Sequence, residues 1–165
     1  MKLESLSDLY VDQLKDLHSA EKQILKALPR MADAAQQSEL KDAFKEHLAE
    51  TQDHVRRLDR ILQSRAARSS SKTCKAMEGI IDEGDEYVTQ KDVDPRVRDA
   101  ALIAAAQRVE HYEMAVYGTI RNYAESLGRN EFADLLQRTL NEEGEADRKL
   151  TQIAEGKVNP QAARH

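Results

Sequence analysis

Leu102-Ile103-Ala104-Ala105-Ala106-Gln107-Arg108-Val109-Glu110-His111-Tyr112-Glu113 reads as a helix whose apolar side is interrupted by acid. The stripe Leu102, Ala106, Val109 continues as Val116, Ile120, Ala124 and Leu127, in the steps of three and four that keep side chains on one helical face. Glu113 sits in the middle of it. Asp94 and Pro95 supply a start signal, an acidic N-cap followed by proline at the first helical position. Gly128 supplies the stop.

Working outward, three further segments carry the same pattern. A first helix begins near Ser5, with Asp8 as acidic charge in its first turn, and its stripe runs Leu6, Tyr10, Leu14, Leu17, Glu21, Ile24, Leu28. Pro29 should kink that helix or end it early, because proline lacks the backbone donor and crowds the preceding turn. Ser38 is the expected cap of a second helix, with stripe Leu40, Ala43, His47, Glu50, His54, Leu58, Ile61. Asn130 is the expected cap of the last long helix, carrying Phe132, Leu135, Leu136, Thr139, Leu140, Leu150 and Ile153. A polar, basic loop over 63–72, a shorter helix over about 75–88 and a connector over 89–94 fill the middle. No periodicity continues past Gly156. Residues 1–155 are therefore expected to form one domain and 156–165 a disordered tail.

Connection lengths set the topology. The two short turns make two antiparallel hairpins, while roughly 30 residues separate the second long helix from the third. An all-α, ferritin-like four-helix bundle with one long crossover, itself containing a short extra helix, is the expected fold. An internal echo agrees with it. Glu21 and Glu113 are 92 residues apart, and so are Glu50 and Glu142. Aligned at that offset, residues 21–61 and 113–153 match at nine of 41 positions, with the inward glutamates in register.

Ionised carboxylates buried together are costly unless something positive neutralises them. Bundles of this kind solve the problem with metal, held by a Glu from each of two helices and a Glu-x-x-His pair from each of the other two. Glu21 is one single ligand candidate, and Glu110 with Glu113, one turn apart, form a pair. The second helix offers Glu50 with His54, or with Asp53. The last offers Glu142 or Glu143, with Asp147 one turn past Glu143. No Glu-x-x-His occurs anywhere in the chain, so fewer neutral ligands are available than in that pattern. Carboxylates mixed with imidazole suit a dinuclear iron or manganese centre, and zinc could fill it in purified protein. His47 reads as a core or supporting residue. His18 and His111 read as partners or exposed, and Tyr10, Tyr112 and Tyr117 as core fillers.

The rest of the composition narrows the function class. A net charge of −5 disfavours nucleic acid and anionic lipid. No apolar run approaches the ~20 residues of a membrane helix, and Met1-Lys2-Leu3-Glu4-Ser5 lacks the apolar core of a secretory signal. Cys74 is the single cysteine, so an internal disulfide is ruled out, a free thiol is expected, and the cytoplasm is the expected compartment. An exposed Cys74 could also crosslink subunits. Val11, Leu25 and Val55 lie outside the central stripes and could serve a homodimer face.

Four strings carry a family resemblance: Ser19-Ala20-Glu21-Lys22-Gln23, His47-Leu48-Ala49-Glu50-Thr51, Arg98-Asp99-Ala100-Ala101-Leu102-Ile103-Ala104-Ala105-Ala106 and Val109-Glu110-His111-Tyr112-Glu113. They resemble the YciF/YciE bacterial stress-response proteins, over nearly the whole chain. The resemblance implies a ferritin-like fold distantly similar to rubrerythrin, and a role in general stress responses. It also implies a ligand set mapping onto Glu21, Glu110, Glu113, Glu143 and Asp147. Rubrerythrin's iron–sulfur domain needs four cysteine ligands and has no counterpart in a chain with one cysteine. Peroxidase chemistry with a built-in electron donor is therefore not carried over. The expected function is stress protection through a dinuclear centre handling dioxygen or peroxide. The alternative is a non-enzymatic bundle working by oligomerisation or partner binding, around an empty or structural site.

Overall fold

The structure, a computed structural model, describes residues 3–64 and 72–164. Five helices carry it: α1 (Leu6–Ala34), α2 (Ser38–Gln63), α3 (Lys75–Thr89), α4 (Pro95–Ser126) and α5 (Asn130–Ile153). A π-helical turn, Ala154–Val158, and a short α6, Asn159–Ala162, extend α5. There is no strand among the described residues. The architecture is the ferritin-like four-helix bundle. Hairpin α1–α2 packs on hairpin α4–α5 with α1 against α4 and α2 against α5, and α3 in the crossover lies on α1 and α4.

Local chemistry accounts for most helix ends. Ser5 caps α1, its hydroxyl accepting from the Asp8 N–H at 3.1 Å and donating to the Asp8 carboxylate at 2.7 Å. Asp94 caps α4 with Pro95 in the first turn. Gly128 has a φ of +69° where the chain leaves α4, a conformation strained for any residue with a Cβ.

Other ends differ from expectation. Ser38 does not cap α2 with its side chain; it is the first helical residue. The buried carboxylate of Asp99, on α4, instead accepts the backbone N–H groups of Gln36 and Gln37, each at 2.8 Å. Asn130 likewise starts α5 as its first residue, behind Arg129, with no side-chain cap bond. Pro29 does not end α1, which runs on to Ala34; its exposed position places the missing donor on the solvent side. The tail expected to be disordered from 156 is helical as far as Ala162, because Val158 is buried against Ile153 and Ala154. One apolar residue leaves no period in a sequence. The basic loop expected over 63–72 falls mostly on 65–71, outside the described residues.

The core is two apolar clusters with a polar layer between them. One gathers Tyr10, Leu14, Leu17, Leu58, Tyr117 and Leu136. The other gathers Ile24, Leu28, Phe44, Leu102, Ile103 and Leu150. Fully burying each such side chain contributes about 1.5–3 kcal/mol, and the two clusters together hold the four long helices around what lies between.

Candidate metal centre

Ten polar or charged side chains are buried among the described residues, and six of them meet in that middle layer. Each long helix delivers its share by periodicity. Glu21 follows Leu17 on α1, and Glu110 with Glu113 sit between Ala106 and Tyr117 on α4. His47 and His54 lie two turns apart on α2, and Glu143 follows Thr139 on α5. One ligand atom from each of His47, Glu110, Glu113 and Glu143 lies within 4.8 Å of the others, and the same holds for Glu21, His54 and Glu143. Glu143 belongs to both groups. Two adjacent ion positions joined by one carboxylate are what this geometry offers.

Of the expected ligands, Glu21, His54, Glu110, Glu113 and Glu143 come together; Glu50, Asp53, Glu142 and Asp147 do not. The inward face of α2 runs through His47, Thr51, His54 and Leu58, so Thr51 takes the position expected of Glu50. Glu50 is 40% exposed and its Oε2 lies 3.2 Å from His47 Nδ1. Asp53 is half exposed and pairs with Arg56 on its own helix. Glu142 faces the α2–α5 seam, where Arg57 Nη2 donates to it at 3.0 Å. Asp147 is four residues past Glu143, and four steps overshoot a helical turn by about 40°. That rotation carries it to Gln107 and His111 of α4, at 3.1 and 3.3 Å.

His47, expected from the sequence to be a core or supporting residue, stands instead among the possible ligands. Its Nε2 lies 3.3 Å from Glu110 Oε1 and 3.6 Å from Glu143 Oε2. The signal was present in the seven-residue spacing to His54, two full turns on one face. The two imidazoles are oriented alike from behind. Glu50 holds the Nδ1 of His47, and Glu142 Oε2 sits 3.0 Å from Nε2 of His54. Nε2 of His47 and Nδ1 of His54 are left toward the carboxylates. Carboxylates behind metal-binding imidazoles commonly fix tautomer and ring direction this way. Tyr117, fully buried, donates its hydroxyl to Glu21 Oε1.

The electrostatics are those of crowded acid. Burial, then the charges of Glu143 and Glu21, push the Glu113 carboxyl well above the ordinary range. Burial and the charge of Glu143 do the same to Glu110. Burial opposes charge on His54, but contacts with Glu143 and Glu21 outweigh it and raise its pKa to about 10. For Glu143 burial is outweighed by the His54 contact and by the charge of His47, and its pKa falls. Glu142 is drawn down to about 2, because Arg57 and Arg138 overcome its partial burial.

The remaining candidates have ordinary roles. His18 is buried, its Nε2 2.9 Å from Asp59, and His111 is exposed. Tyr10 and Tyr117 fill the core as expected, whereas Tyr112 is only partly buried, its hydroxyl 3.0 Å from Cys74 Sγ. Cys74 is fully buried, so it is not the exposed thiol that could link subunits. Among the described residues no helix is long and apolar enough to cross a membrane.

Comparison with known proteins places this geometry in a family. The family model described as "Domain of unknown function (DUF892)" matches residues 5–163. Protein YciF of Escherichia coli (strain K12) is 43% identical over 163 residues, 98% of each chain. The crystal structure of that E. coli stress protein superposes with a TM-score of 0.90, covering 95% of this chain and 99% of its own. YcfI of Rhodopseudomonas palustris, described as a structural protein, is 40% identical with a TM-score of 0.88, over 93% of this chain and 97% of its own. A Xanthomonas campestris pv. campestris protein, 21% identical with a TM-score of 0.77 over 97% and 98%, shares the fold.

Proposed function

The chain belongs to the DUF892 family, and from that premise we propose that it is a stress-response protein built around a dinuclear iron or manganese centre. One observation carries the reading. Glu21 Oε2, Glu110 Oε2 and both oxygens of Glu113 are buried with no hydrogen-bond partner among the described residues. Leaving such atoms unsatisfied costs about 1–3 kcal/mol each, and more when charged. A cation removes that cost. The four carboxylates carry the charge that two divalent ions neutralise, and an oxygen-rich set with two imidazoles suits iron or manganese, with zinc able to enter.

His47, Glu110, Glu113 and Glu143 would hold one ion, and Glu21, His54 and Glu143 the other. Bound iron or manganese supplies a reversible change between divalent and trivalent states beside dioxygen or peroxide. The chain's own contribution is to fix the ligands and close the layer at both ends of the bundle. Glu50 and Glu142 aim the imidazoles, Arg57 aims Glu142, and Tyr117 anchors Glu21. The two apolar clusters seal the layer at either end. Elemental analysis of protein purified without chelator or affinity metal tests the proposal. Near two ions per chain are expected, lost in Glu21→Ala and Glu113→Ala with helicity retained; metal-free wild type that stays metal-free in excess Mn(II) or Fe(II) sinks it.

The description of the R. palustris relative as a structural protein favours a second reading. There the ion only stabilises a bundle that acts by oligomerisation or through a partner. Metal that raises the melting temperature without any peroxide or dioxygen turnover would select it. We extend the proposal to a cytoplasmic homodimer, which sedimentation and cell fractionation would check.

A further inference from the structure

A cavity of about 130 Å³ opens between α2 and α5 and reaches the candidate centre from the side. Its outer wall is Glu46, Glu145 and Lys149, with 59%, 72% and 44% of each side chain exposed. Glu50 stands part-way in, and the inner end is His47 and Glu110, both more than nine-tenths buried. Glu110 Oε2 has no hydrogen-bond partner there. Carboxylates therefore stand at the rim, part-way in and at the inner end, on walls completed by Ala43, Phe44, Ala146 and Leu150, and His47 bridges the last step, between Glu50 at 3.2 Å and Glu110 at 3.3 Å.

Another cavity touches the same two residues from the α1–α3–α4 side, but its chemistry differs. It measures about 30 Å³ and is walled by Ile24, Leu28, Met31, Ile81 and Val109. Its one carboxylate besides Glu110, Asp85, is taken by Arg30 at 2.8 Å. Between the Arg30–Asp85 pair and Glu110 its walls are apolar, so a hydrated divalent ion meets no intermediate carboxylate on the way.

We propose that the α2–α5 cleft is the port by which divalent cations reach the centre. Glu46 and Glu145 gather the ion at the rim, Glu50 receives it, and the His47–Glu110 pair passes it inward. Lys149, bonded to Glu46 across the cleft, and Arg148, 3.9 Å from Glu145, moderate the field at the mouth. The inference rests on the reading of the six buried residues as a metal centre. It adds a directional path and three residues outside that centre.

The experiment is stopped-flow uptake of Mn(II) or Co(II) by the metal-free full chain, followed by final stoichiometry. Acidic clefts raise the arrival rate of counter-ions by 10–10³, an advantage that salt removes. Glu46→Gln with Glu145→Gln should slow uptake about tenfold at low salt, with the difference vanishing at high salt. Lys149→Met should speed it. Both variants should reach the wild-type number of ions, and circular dichroism checks that they fold. Uptake rates identical to wild type in both variants, at full stoichiometry, would overturn the port alone. A wild-type chain that takes up no ion removes the centre and the port together.

Discussion

Glu142 and Glu143 are neighbours on α5 and stand on opposite sides of one imidazole: Glu142 Oε2 is 3.0 Å from His54 Nε2, and Glu143 Oε1 is 2.9 Å from His54 Nδ1. Successive residues on a helix differ by about 100°, so only a ring lying between them can meet both. His54 lies there because α2 packs on α5. One glutamate thus serves the candidate centre while its neighbour serves the ligand.

That division of labour separates their variants. Glu143→Ala should abolish binding of both ions, since it belongs to both groups. Glu142→Ala should keep the full number at saturation but weaken affinity about 10–100-fold, the usual cost of losing a group that orients a ligand. Isothermal titration with Mn(II) reads both, and equal losses in the two variants would contradict the assignment.

Crowded carboxylates should make the metal-free protein less stable than it could be. Glu113 is fully buried, and its two oxygens have no partner among the described residues. Glu113→Gln, which cannot ionise, should stabilise the metal-free chain at neutral pH, because it spares the proton uptake that the raised Glu113 pKa imposes on folding. Each kcal/mol gained raises the melting temperature by roughly 2–4 °C for a domain of this size. The same substitution should erase the stabilisation that added metal gives wild type. Thermal melts with and without Mn(II) test both halves, and a lower metal-free melting temperature would refute the first.

Asp99 ties the two hairpins through the backbone. It is buried and accepts two N–H groups just before α2. Asp99→Ala should cost about 1–3 kcal/mol, since those donors lose their acceptor, and Asp99→Asn should recover part of it. Urea denaturation midpoints would show the order wild type, Asn, Ala; no difference between wild type and Ala would discount the link.

Cys74 should be unreactive in the folded protein. Burial, with Asp16 nearby, pushes its thiol above the ordinary range, and only the thiolate attacks alkylating agents. At pH 7–8 the folded chain therefore keeps Cys74 as the neutral thiol. Mass spectrometry after iodoacetamide should find it unmodified in native protein and modified in denaturant. Rapid native labelling would mean that the N-terminus of α3 opens readily.

The long helices were legible because their signals are local. Glu21 and Glu113 could be read as inward from sequence, since each is flanked on its own helix by apolar residues in unbroken three-and-four steps. The same reading failed at Glu50 and Asp147, where two candidates lie within one turn and a helix alone does not say which faces inward. The 92-residue echo shows the difference well. Glu21 and Glu113 both enter the centre, whereas Glu50 and Glu142 both stay at its edge and hold histidines of α2.

The backbone just before α2, the burial of Cys74 and the helical tail beyond Gly156 depend on residues far away in the chain: Asp99, Tyr112 and the core cluster around Ile153. Periodicity, caps and loop lengths were enough to determine an all-helical bundle of two hairpins with acid in its middle, because each acts within a few residues. Which acids meet, which histidines join them and where a cleft reaches inward were decided only by the packing of α2 on α5 and α1 on α4. A side chain's direction within one turn is set by the helix that faces it.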